Sequence, residues 1–262
     1  MTRTLSVWPA GWGRAQRSSA TMVAAGFLIL LVLWLMAKPL ALAPGPIGPN
    51  AQAFAEGTRM TVLLTLVSGV SGLALGVLAA LGKVSRIPPV RWVASLYVWI
   101  MRGTPLLLQV LFVFFALPEL VPAFKVDEFT AAALALALNV GAYNAEAIRA
   151  GLLAVPKGQL EAARSLGMSR WFCFIDVTMP QAFKISLPPL VNNLVSLLKD
   201  SSLAYVIGVV EVSLVSTRIQ AASFQPVPCY VTTGLIYLLL TTLMTQISNA
   251  VERRFDHEGK LA

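Results

Sequence analysis

The sequence predicts an all-α polytopic membrane protein with about six transmembrane helices. Of its 262 residues, 57% are hydrophobic and only 12% are charged, whereas a soluble domain carries roughly a quarter charged residues. The mean hydropathy is +0.74, and the apolar residues fall into several runs long enough to cross a bilayer as helices. Positive residues lie between these runs, as is typical of cytoplasmic loops. This pattern accounts for the formal net charge of +8 without invoking nucleic acid.

The first apolar run extends from Thr21 to Ala43. At about 1.5 Å of rise per residue, a helix of this length can cross the hydrocarbon core. A basic start and the sequence Ala41-Leu42-Ala43 also resemble a cleaved signal peptide. The apolar stretch is longer than a usual signal core, which favours a retained helix. The proline-rich residues 44–49 cannot continue a helix, because proline lacks the N–H, and they predict an outer loop.

The second run, Met60 to Gly82, is rich in small residues. Gly72 and Gly76 form a GxxxG pair, which allows two helix backbones to approach closely in a membrane. Such spacing also arises by chance in glycine-rich segments. The cations at positions 83, 86 and 91 place the following loop in the cytoplasm.

The third run, Trp92 to Leu117, is longer than one span requires. Gly103 and Pro105 predict a break, so that residues 92–101 form an entry helix and residues 106–117 cross the membrane. Arg102 then either extends to the membrane boundary from a helix end or faces the bundle interior.

The fourth run, Phe129 to Ile148, is apolar in its first half and polar in its second. Polar groups in a membrane helix are costly unless paired, which predicts that Asn139 and Glu146 face the protein interior or cytoplasmic water. Glu146 and Arg149 are three residues apart and can pair across one helical turn.

Residues 150–187 form a basic loop, which the charge pattern places in the cytoplasm. Gln159 to Leu166 is helix-forming material, and Gly167 is placed to end that helix. Ser169 can cap a second short helix that ends before Pro180. Two short helices joined at a glycine make a compact knob suited to docking into a groove on a partner.

The remaining chain continues the alternation of spans and loops. The run Ile185 to Val206 contains Asn193, Lys199 and Asp200, and ionisable residues inside a span are candidates for function. Lys199 and Asp200 either neutralise each other at a helix break or contact substrate. Residues 206–228 are expected outside, Cys229 to Ala250 is the last span, and the C-terminus is expected in the cytoplasm.

The basic loop carries a resemblance to a known family. Glu161-Ala162-Ala163, followed by Gly167 and then by Val177, Met179 and Pro180, resembles the EAA loop of permease subunits in bacterial ATP-binding-cassette (ABC) importers. Seven motifs in the family's order are similar to its polar amino-acid uptake branch: Arg102 to Leu107, Ala142 to Glu146, Val155 to Gln159, Leu166 to Ser169, Met179 to Ala182, Leu187 to Leu190 and Leu198 to Leu203. Residues 223–230 depart from the pattern, with an acidic residue missing and a proline added.

The resemblance implies a five-helix permease domain over residues 58–255, with the EAA coupling loop at 150–187. Residues 1–57 would add a cytoplasmic N-terminus, an extra helix and an outer loop, and residues 256–262 a cytoplasmic tail. Such a subunit lies in the bacterial inner membrane and pairs with a second permease subunit, identical or related. It binds a cytoplasmic ABC ATPase dimer, receives a polar or charged amino acid from an extracytoplasmic binding protein, and transports it by alternating access.

The resemblance also implies roles for particular residues. Glu161 is expected to start and cap the coupling helix, Gly167 to permit the tight turn, and Pro180 to fix the exit into the next span. The residues expected to couple to the ATPase are Glu161, Ala162, Ala163, Leu166, Gly167, Met168, Ser169 and Pro180. The candidates for the translocation pathway are Arg102, Thr104, Asn139, Glu146, Asn193, Lys199, Asp200 and Ser201.

No ATPase is expected within this chain. The nearest approach to a phosphate-binding loop, residues 76–84, has the wrong glycine spacing, and Val84 follows Lys83 where Ser or Thr is needed. ATP and Mg²⁺ therefore belong on a partner, and neither a metal site nor a catalytic set is predicted. The alternative is an ion-coupled secondary transporter or channel without an ATPase, for which Arg102, Glu146, Lys199 and Asp200 are the available charged groups.

Overall fold

The computed structural model describes residues 14–255, and the predicted cytoplasmic tail at 256–262 lies outside them. Every regular element in residues 14–255 is helical, which confirms the predicted fold class. Four helices are long and apolar enough to cross a membrane, and two bent helix pairs raise the number to six.

The N-terminal helix packs along the last one. Helix α1 spans Arg14–Leu35, α2 spans Ala37–Ala41, and α12 spans Pro226–Phe255. The Ser18 hydroxyl donates a hydrogen bond to the Ala250 carbonyl and so joins α1 to α12. The proline-rich segment that follows is a loop ending in a short 3-10 turn, Gly48–Asn50, as predicted.

Helices α3, Ala51–Val84, and α7, Glu128–Ala154, pack closely at the centre of the molecule. A Cβ atom on Gly72 would collide with the Val140 side chain, and one on Gly76 would lie 2.6 Å from Asn144 Cβ. The GxxxG pair therefore serves contact within the chain. Helix α3 begins nine residues before the predicted start at Met60, so it is longer than the apolar run alone indicates.

The third span is broken, as predicted. Helix α4 spans Pro88–Gly103, and a second helical segment covers Leu106–Leu111 (α5), a π turn at Phe112–Ala116, and Leu117–Leu120 (α6). The two segments meet at 111°. The Tyr97 hydroxyl on α4 donates to the Leu138 carbonyl at 2.7 Å, which ties the first segment to the middle of α7.

After the turn at residues 166–169, the chain forms one continuous helix from Arg170 to Ile207. Helix α8 spans Lys157–Ser165, followed by α9 at Arg170–Phe172, a π turn at Cys173–Thr178, α10 at Met179–Asp200, and a 3-10 segment at Ser201–Ile207. The predicted helix end before Pro180 is wrong, because α9 runs through the π turn into α10. Between Glu128 and Ile207, non-helical backbone is confined to residues 155–156 and 166–169.

Helix α10 crosses α7 at a point of close backbone approach. A Cβ atom added to Gly151 would lie 2.7 Å from the Ala182 carbonyl oxygen. Only glycine fits there without moving one helix. After α10 the chain turns at Gly208, whose φ is +100°, and α11, Val212–Ser223, leads to α12.

Candidate translocation cavity and coupling knob

The break between α4 and α5 is stabilised by one glutamine side chain. Pro105 has no N–H to offer the Met101 carbonyl one turn earlier. The Gln109 Nε2 amide donates to that carbonyl at 2.8 Å and to the Thr104 carbonyl at 3.1 Å. Gln109 Oε1 accepts from Asn139 Nδ2 at 3.0 Å, which joins the break to α7. The sequence prediction missed Gln109, although an amide four residues after a helix-breaking proline is a readable signal.

A polar cavity of about 500 Å³ opens beside this break. Its volume lies within the usual range for small-ligand sites. Four predicted pathway residues line it, Thr104 at the break, Asn139 on α7, and Asn193 and Asp200 on α10. The structure therefore brings together residues that are up to 96 positions apart in the sequence, 200 minus 104. The full lining is Thr104, Pro105, Leu106, Asn139, Val140, Tyr143, Asn193, Ser196, Asp200 and Leu203.

A cation lies at the cavity wall. The Arg102 guanidinium carbon is 5.3 Å from the centre of the Tyr143 ring, a cation–π distance, and Tyr143 lines the cavity. Arg102 is exposed. The cavity thus has a carboxylate in its lining, at Asp200, and a guanidinium stacked on another of its lining residues.

Two amides connect the cavity wall to α7. Asn193 Nδ2 donates to Asn144 Oδ1 at 2.9 Å. Asn144 is buried, and its Cβ atom lies close to Gly76 on α3. An interhelical amide pair satisfies polar groups that would otherwise be costly in a membrane.

Three predicted pathway residues lie away from the cavity lining. Glu146 accepts from Arg149 at 2.9 Å, as predicted, and also pairs with Lys83 on α3, which the sequence prediction did not include. Ser201 is buried and donates to the Leu198 carbonyl at 2.8 Å. Lys199 is exposed, and within residues 14–255 it forms no ion pair with Asp200. A Coulombic interaction between the two groups remains without a direct contact, so mutual neutralisation and substrate contact both stay predictions for these two side chains.

The sequence prediction also missed a fully buried carboxylate, Glu211. It accepts hydrogen bonds from the Leu214 amide at 2.9 Å and from the Tyr237 hydroxyl at 3.0 Å. Thr61 Oγ1 lies 3.4 Å from the same carboxylate. The group caps α11 and ties it to α3 and α12. An acid flanked by Val209, Val210 and Val212 is the signal that could have revealed it.

The coupling knob is formed by α8, the turn at 166–169 and α9. Gly167 has φ of +81°, which favours glycine, and the Ser169 hydroxyl accepts from the Phe172 amide at 3.4 Å as the cap of α9. Leu166 is 84% exposed and Trp171 is 66% exposed. The knob therefore presents large apolar side chains outward.

Other coupling candidates lie on the body of the knob. Helix α8 begins at Lys157, so Glu161 is an exposed mid-helix residue and its predicted role as a cap is wrong. Ala162 is exposed and Ala163 is buried. The Met168 amide donates to the Ala163 carbonyl at 3.2 Å and closes the turn. Pro180 is exposed within the continuous helix, so no exit turn exists there.

The comparisons with known proteins agree with this architecture. The family described as "Binding-protein-dependent transport system inner membrane component" matches residues 72–257. The chain belongs to this family. Its description places members in the inner membrane, in transport systems that depend on a binding protein. The resemblance to importer permeases and the expectation of a transport subunit, not an enzyme, are confirmed by this match and by the relatives below.

Several curated members of the family cover most of the chain. The "Arginine transport system permease protein ArtQ" of Bacillus subtilis (strain 168) is 41% identical over 206 residues, which cover 79% of this chain and 94% of that protein. The "L-cystine transport system permease protein TcyB" of the same organism is 42% identical, covering 76% of this chain and 85% of that protein. The "Glutamine transport system permease protein GlnP" of Escherichia coli (strain K12) is 35% identical, and the match covers 79% of this chain and 95% of that protein.

Two solved structures of ABC transporters have a similar fold over most of the chain. A crystal structure of an amino acid ABC transporter with histidines aligns with a TM-score of 0.74 at 38% identity, covering 79% of this chain and 95% of that one. A structure of the MetNI methionine ABC transporter aligns with a TM-score of 0.66 at 19% identity, covering 79% of this chain and 98% of that one. This match shows similarity of fold. The ion-coupled alternative finds no support among these relatives.

Proposed function

We propose that this chain is the permease subunit of an ABC importer that carries a polar or charged amino acid into the cytoplasm. The relatives named for arginine, L-cystine and glutamine transport support this substrate class. Transport proceeds by alternating access and is driven by ATP hydrolysis on a separate subunit, where ATP and Mg²⁺ bind. Conformational closure of the ATPases moves the knob, and the helices joined to it convert that motion into opening of the outer face.

The cavity beside the helix break is the observation that carries the proposal. An amino acid has an ammonium group and a carboxylate in every common protonation state near neutral pH. Asp200 offers an acceptor for the first, and Arg102, stacked on Tyr143, offers a donor for the second. Asn139 and Asn193 add amides between them. Discontinuous helices with polar residues at the break are the usual construction of substrate sites in transporters.

The cavity is tested by Asp200→Asn. The substitution keeps shape and removes the charge, so the hydrogen bond to the substrate ammonium loses its ionic character. The loss is worth about 1.5–3 kcal/mol, or roughly tenfold or more in transport at limiting substrate. Uptake is measured in proteoliposomes that contain the assembled transporter and its binding protein. Glu119→Gln, which removes the charge of an exposed carboxylate outside the lining, is the matched control. Wild-type uptake by Asp200→Asn would remove the carboxylate from the pathway.

The knob is the proposed docking site for a cytoplasmic ABC ATPase dimer. Leu166 and Trp171 are large, apolar and exposed at the end of a polar segment, as expected of an anchor that enters a partner groove. Lys157, Arg164 and Arg170 give this segment its positive charge and support a cytoplasmic location. The same charge pattern supports a cytoplasmic C-terminus.

The docking role is tested by Gly167→Val. A β-branched residue at φ of +81° costs roughly 1–2 kcal/mol of backbone strain and displaces Leu166. Uptake and substrate-stimulated ATP hydrolysis are expected to fall together, while membrane insertion is unchanged. Gly158→Ala is the control, because Gly158 lies in α8 with open space around its Cβ position. Unchanged ATP hydrolysis and uptake in Gly167→Val would exclude this turn from docking.

The complete importer would contain two permease subunits, either two copies of this chain or this chain and a relative, and an extracytoplasmic amino-acid-binding protein. Co-purification of a stoichiometric ATPase, lost when residues 161–167 are altered, supports this assembly. Uptake that survives ATP depletion and follows an ion gradient would instead favour an ion-coupled carrier.

A further inference from the structure

A second, apolar groove lies between the end of α3 and the start of α4. Its volume is about 520 Å³, and no charged residue lines it. The walls are formed mainly by Leu78 and Gly82 on α3 and by Val90, Val93 and Ala94 on α4. Tyr97 also lines it, but its hydroxyl is already bonded to the Leu138 carbonyl at 2.7 Å. The groove therefore offers an occupant apolar contact and little polar recognition.

The groove is open toward the outside of the bundle. Leu78 is 67% exposed and Val93 is 61% exposed. At its closed side, a Cβ atom on Gly82 would lie 2.9 Å from Ala94 Cβ, so the two helices touch there. The groove therefore lies between two helices and is open on one side at the surface of the chain.

Two arginines lie where the groove walls are joined. Arg86 is in the three-residue connection between α3 and α4, and Arg91 is in the first turn of α4, next to the lining residue Val90. Both are exposed. Within residues 14–255, neither guanidinium has an ion pair or hydrogen-bond partner, whereas nearby Lys83 is neutralised by Glu146. Two positive charges without an acidic partner among the described residues therefore lie near the end of the groove where α3 and α4 are connected.

We propose that this groove binds one anionic phospholipid of the cytoplasmic leaflet. An acyl chain lies along Leu78, Val93 and Ala94, and the headgroup phosphate lies at Arg86 and Arg91. Guanidinium groups bind phosphate oxygens in a bidentate manner. Basic pockets between transmembrane helices on the cytoplasmic side are suited to anionic headgroups. The apolar lining favours an acyl chain over a soluble phosphate compound, and the charge complementarity favours an anionic lipid over a zwitterionic one.

The test uses the full chain, assembled with the subunits that co-purify with it, in nanodiscs of equal parts phosphatidylglycerol and phosphatidylcholine. After mild detergent extraction, native mass spectrometry counts the lipids that remain bound. The wild type is expected to retain phosphatidylglycerol selectively. In the double variant Arg86→Gln/Arg91→Gln, the ratio of retained phosphatidylglycerol to phosphatidylcholine is expected to be roughly 30-fold lower. Each basic residue near the membrane surface contributes about a factor of five to the binding of anionic lipid.

The control removes two other cations that are expected on the cytoplasmic side but lie outside the coupling knob, with the double variant Arg253→Gln/Arg254→Gln. Retained selectivity in this control supports a defined site, because general attraction of anionic lipid to basic loops would fall equally in both variants. Equal loss in both double variants, or no phosphatidylglycerol preference in the wild type, would overturn the proposal.

A second measurement tests the acyl-chain part of the site. Val93→Trp fills the groove without changing charge, and it is expected to lower lipid retention while leaving assembly intact. Unchanged retention in this variant would place the lipid elsewhere. Val93→Cys tests for a protein occupant, and the native thiols interfere little because Cys173 and Cys229 are buried. With an added oxidant, a disulfide between the Val93→Cys thiols of two copies of this chain would show that a second copy covers the groove, and would overturn the lipid assignment.

Discussion

Two prolines, Pro105 and Pro180, have different effects on the direction of the chain. Pro105 lies at a break where two helical segments meet at 111°. Pro180 lies within a helix that continues from Arg170 to Ile207. Both positions are expected from sequence to interrupt a helix. The difference shows that the local backbone and the neighbouring side chains decide whether the hydrogen bond missing at a proline bends the chain.

At Pro105 the chain has a second weak point, because Gly103 also disfavours helix, by about 1 kcal/mol. Gln109 then stabilises the broken state by bonding the Met101 and Thr104 carbonyls. At Pro180 the preceding π turn widens the helix, which relieves the clash of the proline ring with the previous turn. The Gln181 amide donates to the Val177 carbonyl at 2.8 Å in this region.

The two outcomes serve different purposes. The break at Pro105 leaves room for a polar cavity beside Thr104 and Asn139. Continuity at Pro180 places the knob-side residue Arg170 and the cavity residue Asp200 in one helical element. A bent span forms the proposed substrate site, and an unbroken one connects that site to the proposed docking surface.

The largest effect is expected from removing the break. The double variant Gly103→Ala/Pro105→Ala increases helix propensity by about 4 kcal/mol in total and favours a straight span that closes the cavity. Uptake in proteoliposomes is expected to fall by at least about tenfold, the equivalent of 1.4 kcal/mol, while the protein still inserts and assembles. Normal uptake by this variant would separate the break from transport.

A smaller effect is expected from removing the glutamine that stabilises the break. Gln109→Leu removes the donor to the Met101 and Thr104 carbonyls, and Met101 keeps only the longer bond from Asn139 at 3.3 Å. A buried polar group left unpaired costs about 1–3 kcal/mol, which thermal unfolding in detergent can measure. The matched variant Gln181→Leu affects a half-buried site that water can reach, so its cost is expected within roughly 0.5 kcal/mol. Equal destabilisation by both variants would contradict the assignment of Gln109 as the main support of the break.

The smallest effect is expected from Pro180→Ala. Because the helix is already continuous there, restoring the N–H changes neither its direction nor the position of the knob. Uptake and substrate-stimulated ATP hydrolysis are expected to remain close to wild type. A large loss in either would indicate that the proline itself is needed, for example for local rigidity.

The sequence predicts the fold class, the break at Gly103 to Pro105, the αL turn at Gly167 and the cap at Ser169, because each depends on local backbone chemistry. It does not predict which of the polar candidates share a cavity, because that depends on how three helices cross. Lys199 and Ser201 lie outside the lining, whereas the residues that line it are Thr104, Asn139, Asn193 and Asp200. The continuation through Pro180 was mispredicted because a π turn has no strong residue signature. The burial of Glu211 and the pairing of Lys83 with Glu146 likewise arise from tertiary contacts.

The continuous helix from residue 170 to residue 207 has a mechanical consequence. At 1.5 Å per residue its length is about 57 Å, nearly twice the hydrocarbon thickness of a bilayer. Gly151 and Ala182 hold it tightly against α7 at a position between its two ends. The Asn193–Asn144 hydrogen bond holds the same helix to α7 nearer to Asp200. A displacement of the knob is therefore expected to reach the cavity through this one helical element, which includes Pro188 and Pro189.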